Sequence, residues 1–181
     1  MTYYLLLGLG KSNLAVAKDL IKESIHFDVY MEGESPSLDL PDGEITYYKK
    51  TEDIPYSRYT AVIKSPGIPF THPAIKECME EGLVITNEIG YSLKYVEKPI
   101  IAITGTNGKT TSTSLIEHIL NTKKHRASAV GNIGNSFLQA AKNQKEMLIT
   151  ELSSFQLRDL KEFNPQISIW LNVFQAHLDY H

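Results

Sequence analysis

The stretch Pro99 to Thr113 constrains this chain more than any other part of it. Ile100 to Ile103 are apolar and mostly β-branched, behind a proline that fits a strand's first residue, which predicts a buried strand. Gly105-Thr106-Asn107-Gly108-Lys109-Thr110-Thr111 follows, and helical spacing predicts a helix from near Lys109 to about Asn121. The glycines let backbone amides curl toward an anion, and Lys109 adds a positive charge. The helix N-terminus adds a dipole equivalent to roughly +0.5 charge at the same spot. Strand, loop and helix in this order make a phosphate cradle of the P-loop type. It is a short one, with two residues between the first glycine and the Gly-Lys pair where the common form has four. An ordinary strand-turn-helix junction with a solvent-facing lysine would use the same glycines.

The chain opens on a second glycine turn. Thr2 to Leu7 is an apolar, aromatic run ending in Gly8-Leu9-Gly10, and Ser12 to Glu23 has helical spacing with Ser12 as its expected N-cap. This reads as the start of a Rossmann-like βαβ unit, although Asn13 stands where the G-x-G-x-x-G pattern has its third glycine. Tight strand-helix packing alone would also explain Gly8 and Gly10. Phe27 to Met31 is the next strand, and Glu32 after it is a candidate for a ribose hydroxyl or a solvated loop acid. Glu34 to Gly43 reads as an exposed loop. The strand Ala61 to Lys64 runs into the rigid turn Ser65-Pro66-Gly67-Ile68-Pro69, at the sheet edge where open α/β proteins bind ligands. A helix over Thr71 to Gly82 and a strand over Leu83 to Thr86 follow.

Alternating strands and helices make the fold class α/β, divided near Lys98-Pro99 into units at residues 1–93 and 98–181. In the second unit, strands are expected over Ala127 to Val130, Met147 to Thr150 and Ile167 to Val173, with a helix over Phe137 to Lys142. Those strands deliver Gly131-Asn132-Ile133-Gly134, Glu151, Asn172 and His177-Leu178-Asp179 to one edge. A nucleoside triphosphate needs a hard cation beside it, with oxygen ligands at about 2.0–2.1 Å. Thr110 is placed to give a hydroxyl and Glu151 a carboxylate. Glu151 could instead begin a helical turn at Leu152-Ser153-Ser154, and a lone His177 is more often a surface residue than a ligand.

Composition narrows the setting. A net charge of -3 gives no electrostatic reason to expect nucleic acid or an anionic membrane as partner. Among 181 residues there is one cysteine, no charged-then-apolar leader and no apolar run of membrane-spanning length, so a cytoplasmic enzyme is expected. Cys78 lies in the helical pattern Ala74 to Glu81 and reads as a packing residue.

Ile103 to Thr111, Gly131 to Gly134, Glu151-Leu152-Ser153-Ser154-Phe155-Gln156-Leu157, Leu171-Asn172-Val173 and His177-Leu178-Asp179 together resemble the Mur ligase family. Ser65-Pro66-Gly67-Ile68, His72-Pro73 and the Glu-Leu-Ser-Ser-Phe-Gln-Leu run resemble its D-glutamate-adding branch. The resemblance implies ATP-driven amide formation in peptidoglycan synthesis. ATP and Mg²⁺ would be the cofactors, and UDP-N-acetylmuramoyl-L-alanine and D-glutamate the substrates, with an acyl phosphate between them. It assigns Gly105, Thr106, Asn107, Gly108, Lys109, Thr110 and Thr111 to ATP, with Lys109 on the β/γ-phosphate and Thr110 on the first Mg²⁺. Glu151 and His177 go to the second Mg²⁺, making Lys109, Glu151 and His177 the catalytic set. Asn132, Ser153 and Gln156 face the UDP-sugar or metal region, and Gly8, Gly10, Lys11, Ser12, Glu32, Ser65, Pro66 and Gly67 form the uridine and diphosphate site.

Asn13 and the late position of Glu32 depart from the family pattern. The family also has a complete central ATPase domain and a third, acceptor domain. The expectation is therefore an N-terminal fragment: a Rossmann-like UDP-binding domain, then the first part of a P-loop ATPase domain, unable to complete ligation alone. A folylpolyglutamate synthase-like ligase shares the short loop but not the Gly-Leu-Gly opening. A non-catalytic nucleotide or UDP-sugar-binding module would keep both.

Overall fold

Four consecutive apolar or amphipathic residues, Tyr4–Leu7, form β1, and the three leucines within it have no exposed surface. A strand buried on both faces belongs in the middle of a parallel sheet, and β1 occupies that place. The computed structural model describes residues 2–33, 45–133, 135–143 and 146–175. The loop expected over Glu34 to Gly43 lies outside them, as do Gly134 and His177-Leu178-Asp179. The chain divides into two compact units, Met1–Tyr91 and Ser92–His181.

In the first unit the elements after β1 are α1 (Lys11–Lys22), β2 (Phe27–Tyr30), β3 (Tyr47–Tyr48), β4 (Ala61–Lys64), α2 (Pro73–Glu80) and β5 (Val84–Thr86), with the short α3 (Glu88–Ser92) after them. The five strands are parallel in the order β3-β2-β1-β4-β5. Leu5, Leu7, Val62, Ile75 and Cys78 pack together in the core, each such aliphatic side chain contributing about 1.5–3 kcal/mol by leaving water. One carboxylate is buried among them. Asp28 accepts from the Tyr3 hydroxyl at 3.0 Å, the Tyr59 hydroxyl at 2.8 Å and the Thr46 amide at 2.9 Å, so its charge is met by donors on three sides.

The start of α1 corrects one expectation. Its N-cap is Gly10, in extended geometry, and Ser12 is the second helical residue. The glycine turn is tight enough for the helix to begin directly after it, so no side chain caps α1. At α2, Pro73 takes the first helical position and the cap is a histidine, with His72 Nδ1 accepting from the Ala74 amide at 3.2 Å.

The second unit contains β6 (Ile100–Thr104), α4 (Lys109–Thr122), β7 (Ala127–Gly131), α5 (Phe137–Asn143), β8 (Met147–Glu151), α6 (Ser154–Arg158) and β9 (Ile167–Trp170). Its four strands are parallel in the order β7-β8-β6-β9. The ends of β8, β6 and β9 therefore lie side by side. The strand expected to reach Val173 stops at Trp170, where the neighbouring chain turns into the glycine loop and the regular register ends, although the Leu171 amide still donates to the Thr104 carbonyl at 3.0 Å.

The two edges of this sheet differ. Asn121 of α4 lays its side-chain amide along β7, donating to the Ala127 carbonyl and accepting from the Ala127 amide, both at 3.0 Å. Glu117 accepts from the Ala129 amide at 2.8 Å. Two helical side chains thus take the part of a missing strand. At the other edge, no strand pairs with the far side of β9 among the described residues, and Trp170 is 72% exposed.

Candidate functional site

Between β6 and α4 the loop is held open from its flank. Asn172, just past β9, accepts from the Thr106 amide through its carbonyl at 3.2 Å. Its side-chain amide pairs reciprocally with the Asn107 backbone, accepting from the amide and donating to the carbonyl at 2.9 Å each. Gly105 runs so close to this segment that an added Cβ would lie 3.1 Å from Leu171 Cβ and 3.2 Å from the Asn172 backbone. Gly108 precedes α4 without a side-chain cap, which leaves the helix's first amides toward the loop. Thr111 is exposed beside them.

Lys109 folds back on this loop, and its Nζ donates to the carbonyls of Gly105 at 2.6 Å and Thr106 at 2.9 Å. A carboxylate stands on the other side. Glu151, 1% exposed at the end of β8, accepts from the Thr110 hydroxyl at 2.9 Å and from the Asn132 side-chain amide at 3.0 Å. Gly131 and Asn132 press on the same residue from β7, the Asn132 amide donating to the Glu151 carbonyl at 3.0 Å. Lys109, Thr110, Asn132 and Glu151 are therefore gathered from three elements. A cavity of about 360 Å³ opens beside the loop, lined by Gly105, Thr106, Lys109, Ser153, Phe155 and Asn172 among others.

Ser153 and Gln156 spend their side chains locally. Ser153 caps α6 by accepting from the Gln156 amide at 3.2 Å, while Gln156 Oε1 accepts from the Ser153 amide and hydroxyl at 3.0 Å each. The Ser-x-x-Gln spacing carries this capping box, which supplies a structural role for both residues. Among the described residues, no group of three His, Cys, Asp or Glu side chains is gathered as a metal cluster. The sequence delivers Asn172 to this edge but gives it no role, since its grip on the loop depends on the Asn107 backbone 65 residues away.

In the first unit, the turns after β1 and β4 lie next to each other, because those strands are neighbours and the Ser65 amide donates to the Leu7 carbonyl at 2.9 Å. Gly8, Gly10, Lys11 and Ser12 form one turn and the entry to α1. Ser65, Pro66 and Gly67 form the other. The Ser65 hydroxyl is buried without a hydrogen-bond partner, and a Cβ on Gly8 would lie 3.1 Å from it. Glu32 stands past β2 with its side chain 74% exposed, accepting from the Tyr30 hydroxyl at 3.0 Å and lying 3.3 Å from His72 Nε2. Since His72 Nδ1 accepts at the α2 cap, its ring hydrogen sits on Nε2 and is donated to Glu32. The Tyr30 hydroxyl and then His72 hold the Glu32 carboxyl below the usual range, while burial and then Glu32 push the Tyr30 hydroxyl up to about 12.

Comparisons with known proteins bear on the family and the fold. The family model for the Mur ligase middle domain matches residues 103–181. UDP-N-acetylmuramoylalanine--D-glutamate ligase from Geobacillus sp. (strain WCH70) is 46% identical over 125 residues, covering 68% of this chain and 28% of that protein. The ligases of the same name from Staphylococcus epidermidis and Bacillus subtilis are 38% and 36% identical over 98% and 99% of this chain. The chain spans 28–42% of the length of these relatives. Among solved structures, the UDP-N-acetylmuramate-alanine ligase of Thermotoga maritima aligns over 99% of this chain and 43% of its own, with TM-score 0.52 and 23% identity. The UDP-N-acetylmuramate:L-alanyl-gamma-D-glutamyl-meso-diaminopimelate ligase of Neisseria meningitides covers 99% of this chain and 63% of its own, with TM-score 0.54 and 14% identity. At those identities the structures speak for the fold alone. Among the described residues, no helix is long and apolar enough to cross a membrane. With its parallel α/β sheets, its motifs and these relatives, the chain belongs to the Mur ligase family.

Proposed function

We propose that the chain supplies the nucleotide-handling units of a cytoplasmic, ATP-dependent ligase that joins D-glutamate to UDP-N-acetylmuramoyl-L-alanine in peptidoglycan synthesis. In this reading residues 1–93 form a Rossmann-like domain for the UDP end, and residues 98–181 belong to a P-loop ATPase-type domain. The relatives' names support the substrate pair.

The observation that carries the reading is Glu151, a buried carboxylate held 2.9 Å from the Thr110 hydroxyl directly beside the loop lysine. Both are oxygen donors, which suits a hard cation. Mg²⁺ keeps several water or phosphate oxygens in its shell, so two protein oxygens fit it. Read from the residues alone, Thr110 and Glu151 would share one ion; on the family pattern Thr110 would hold a first Mg²⁺, and Glu151 with His177 a second. Lys109 now rests on two neutral carbonyls, and exchanging these for phosphate oxygens gains a charge-assisted contact. Bound ATP supplies the phosphoryl group that turns an unreactive carboxylate into an acyl phosphate, open to attack by an amine. The chain's own work is alignment by the Gly105–Thr111 loop and neutralisation of charge by Lys109.

Calorimetry of the 181-residue chain with MgATP and with UDP-N-acetylmuramoyl-L-alanine tests this. Both should bind, and Lys109→Ala should lose most of the ATP affinity while keeping the UDP ligand. No heat from either at millimolar concentration, or unchanged ATP binding in Lys109→Ala, overturns it.

A further inference from the structure

Two wholly buried donors stand behind the turns of the first unit. Asn13, the third residue of α1, aims Nδ2 at the carbonyl oxygens of Leu7 at 3.1 Å, Gly8 at 2.8 Å and Ile63 at 2.9 Å. Lys64, the last residue of β4, directs Nζ to the Ile68 carbonyl at 2.9 Å and more weakly to that of Ser65 at 3.4 Å, with the Phe70 ring centroid 5.3 Å away. Carbonyl oxygens are the groups an approaching anion must avoid. Here those of Gly8 and Ile68 are collected from the interior side, while that of Ser65 is taken within the turn by the Ile68 amide at 3.1 Å. Ser65 and Ile68 each precede a proline, so their peptide units have no N–H to offer in exchange.

With those acceptors drawn inward, donors are left at the meeting of the turns, although the buried Asn13 Oδ1 is an acceptor without a partner. The Ser65 hydroxyl, nine-tenths buried and unpartnered, faces Gly8. The twelve-residue α1 begins beside it with no side chain over its first amides. A buried ammonium within the second turn adds positive potential close by, in a medium where charge is weakly screened. The chain thus has a device where the G-x-G-x-x-G pattern has a bare glycine: the amide at position 13 bridges the ends of β1 and β4 and fixes their separation.

We propose that Asn13 and Lys64 are positioning residues that make this face selective for a phosphate-bearing ligand, of the nucleoside diphosphate class. The inference rests on the reading of the first unit as the UDP site and assigns the source of its anion preference.

The test is an NMR and calorimetric titration of the 181-residue chain, wild type, Asn13→Gly and Lys64→Met, with UDP, uridine and inorganic pyrophosphate. Each variant should weaken UDP and pyrophosphate by roughly tenfold, the equivalent of one well-made hydrogen bond, and leave uridine nearly unchanged. A merely structural role would weaken all three ligands together, which overturns the proposal. Unchanged UDP binding in both variants also overturns it and leaves the site reading standing. Pyrophosphate binding that falls in the variants, without UDP binding by the wild type, sustains it and ends the UDP reading. Binding of neither by the wild type ends both. Should melting curves find Lys64→Met unfolded, Asn13→Gly decides, since glycine is the residue this turn pattern accommodates there.

Discussion

Replacing Gly131 with alanine should damage the second unit through a residue that touches no ligand. Gly131 ends β7 at φ +97, and a Cβ built on it would lie 2.4 Å from the Glu151 carbonyl oxygen. Two costs follow. A left-handed φ in a residue with a Cβ costs about 1–2 kcal/mol. Overlap with backbone, which cannot swing aside as a side-chain tip does, adds about 1–3 kcal/mol. The sum is roughly 2–5 kcal/mol. Two other glycines separate the costs. Gly82 has φ +70 with nothing within 4 Å of its Cβ position, so alanine there should cost only the strain, about 1–2 kcal/mol. Gly67 has neither the positive φ nor a neighbour within 4 Å and should be nearly neutral. For a unit of this size 1 kcal/mol moves the midpoint by about 4–8 °C, so Gly131→Ala should lower the second unit's transition by on the order of 10 °C or more. Thermal and urea melts followed by circular dichroism measure it. MgATP binding should weaken as well, because the carbonyl that must move belongs to the buried carboxylate of the site. A drop in the second unit's transition with Gly131→Ala no larger than the drop in the first unit's transition with Gly82→Ala would refute the reasoning.

Cys78 should be inert in the folded chain. It is wholly buried, and burial first pushes its thiol up to about 12, so a disulfide reagent near pH 8 should modify it only as fast as the first unit opens. A folded value above the ordinary one means this stability is present below the usual thiol range and is lost as pH rises toward about 12; rapid labelling of native protein would contradict the packing. Glu32 runs in the opposite sense. Its lowered carboxyl value contributes stability above the usual carboxylate range that is lost as pH falls through the lowered value. Glu32→Gln should therefore flatten the acid limb of the first unit's melting profile, only slightly because the side chain is 74% exposed, and an unchanged limb would place the Tyr30 and His72 contacts outside the energetics.

Much of the architecture could be read from residue order. Short β-branched runs ending in glycine turns mark parallel strands, and β1, β4, β6, β7 and β8 fall where the pattern puts them to within a residue or two. Features that depend on contact between distant segments were not legible. Ser12 has the chemistry of a cap, yet the geometry of Gly8 and Gly10 starts the helix earlier. Asn13 looked like a missing glycine, and only the packing of α1 against two strand ends reveals its amide as a bridge. Lys64 carries no local sign of burial, since a lysine ending a strand is ordinarily solvated. Ser153 and Gln156 were weighed for ligand contact although their spacing already spells a capping box. At the loop the reading was fuller, because Lys109, Thr110 and Glu151 meet through the ends of neighbouring parallel strands.

The unequal edges of the second sheet give its growth a direction. Asn121 and Glu117 occupy the bonding positions at Ala127 and Ala129 on the outer side of β7, so a strand arriving there must first evict helical side chains that come from the same chain and cost nothing to recruit. On the far side of β9, Ile167 to Phe174 is a run without a single charge or proline, and Ile167, Trp170, Val173 and Phe174 are exposed. A strand from any source therefore finds one open berth. It would be added beside β9, at the end of the sheet where Asn172 already grips the glycine loop, so that extending the sheet and bracing the loop become the same event.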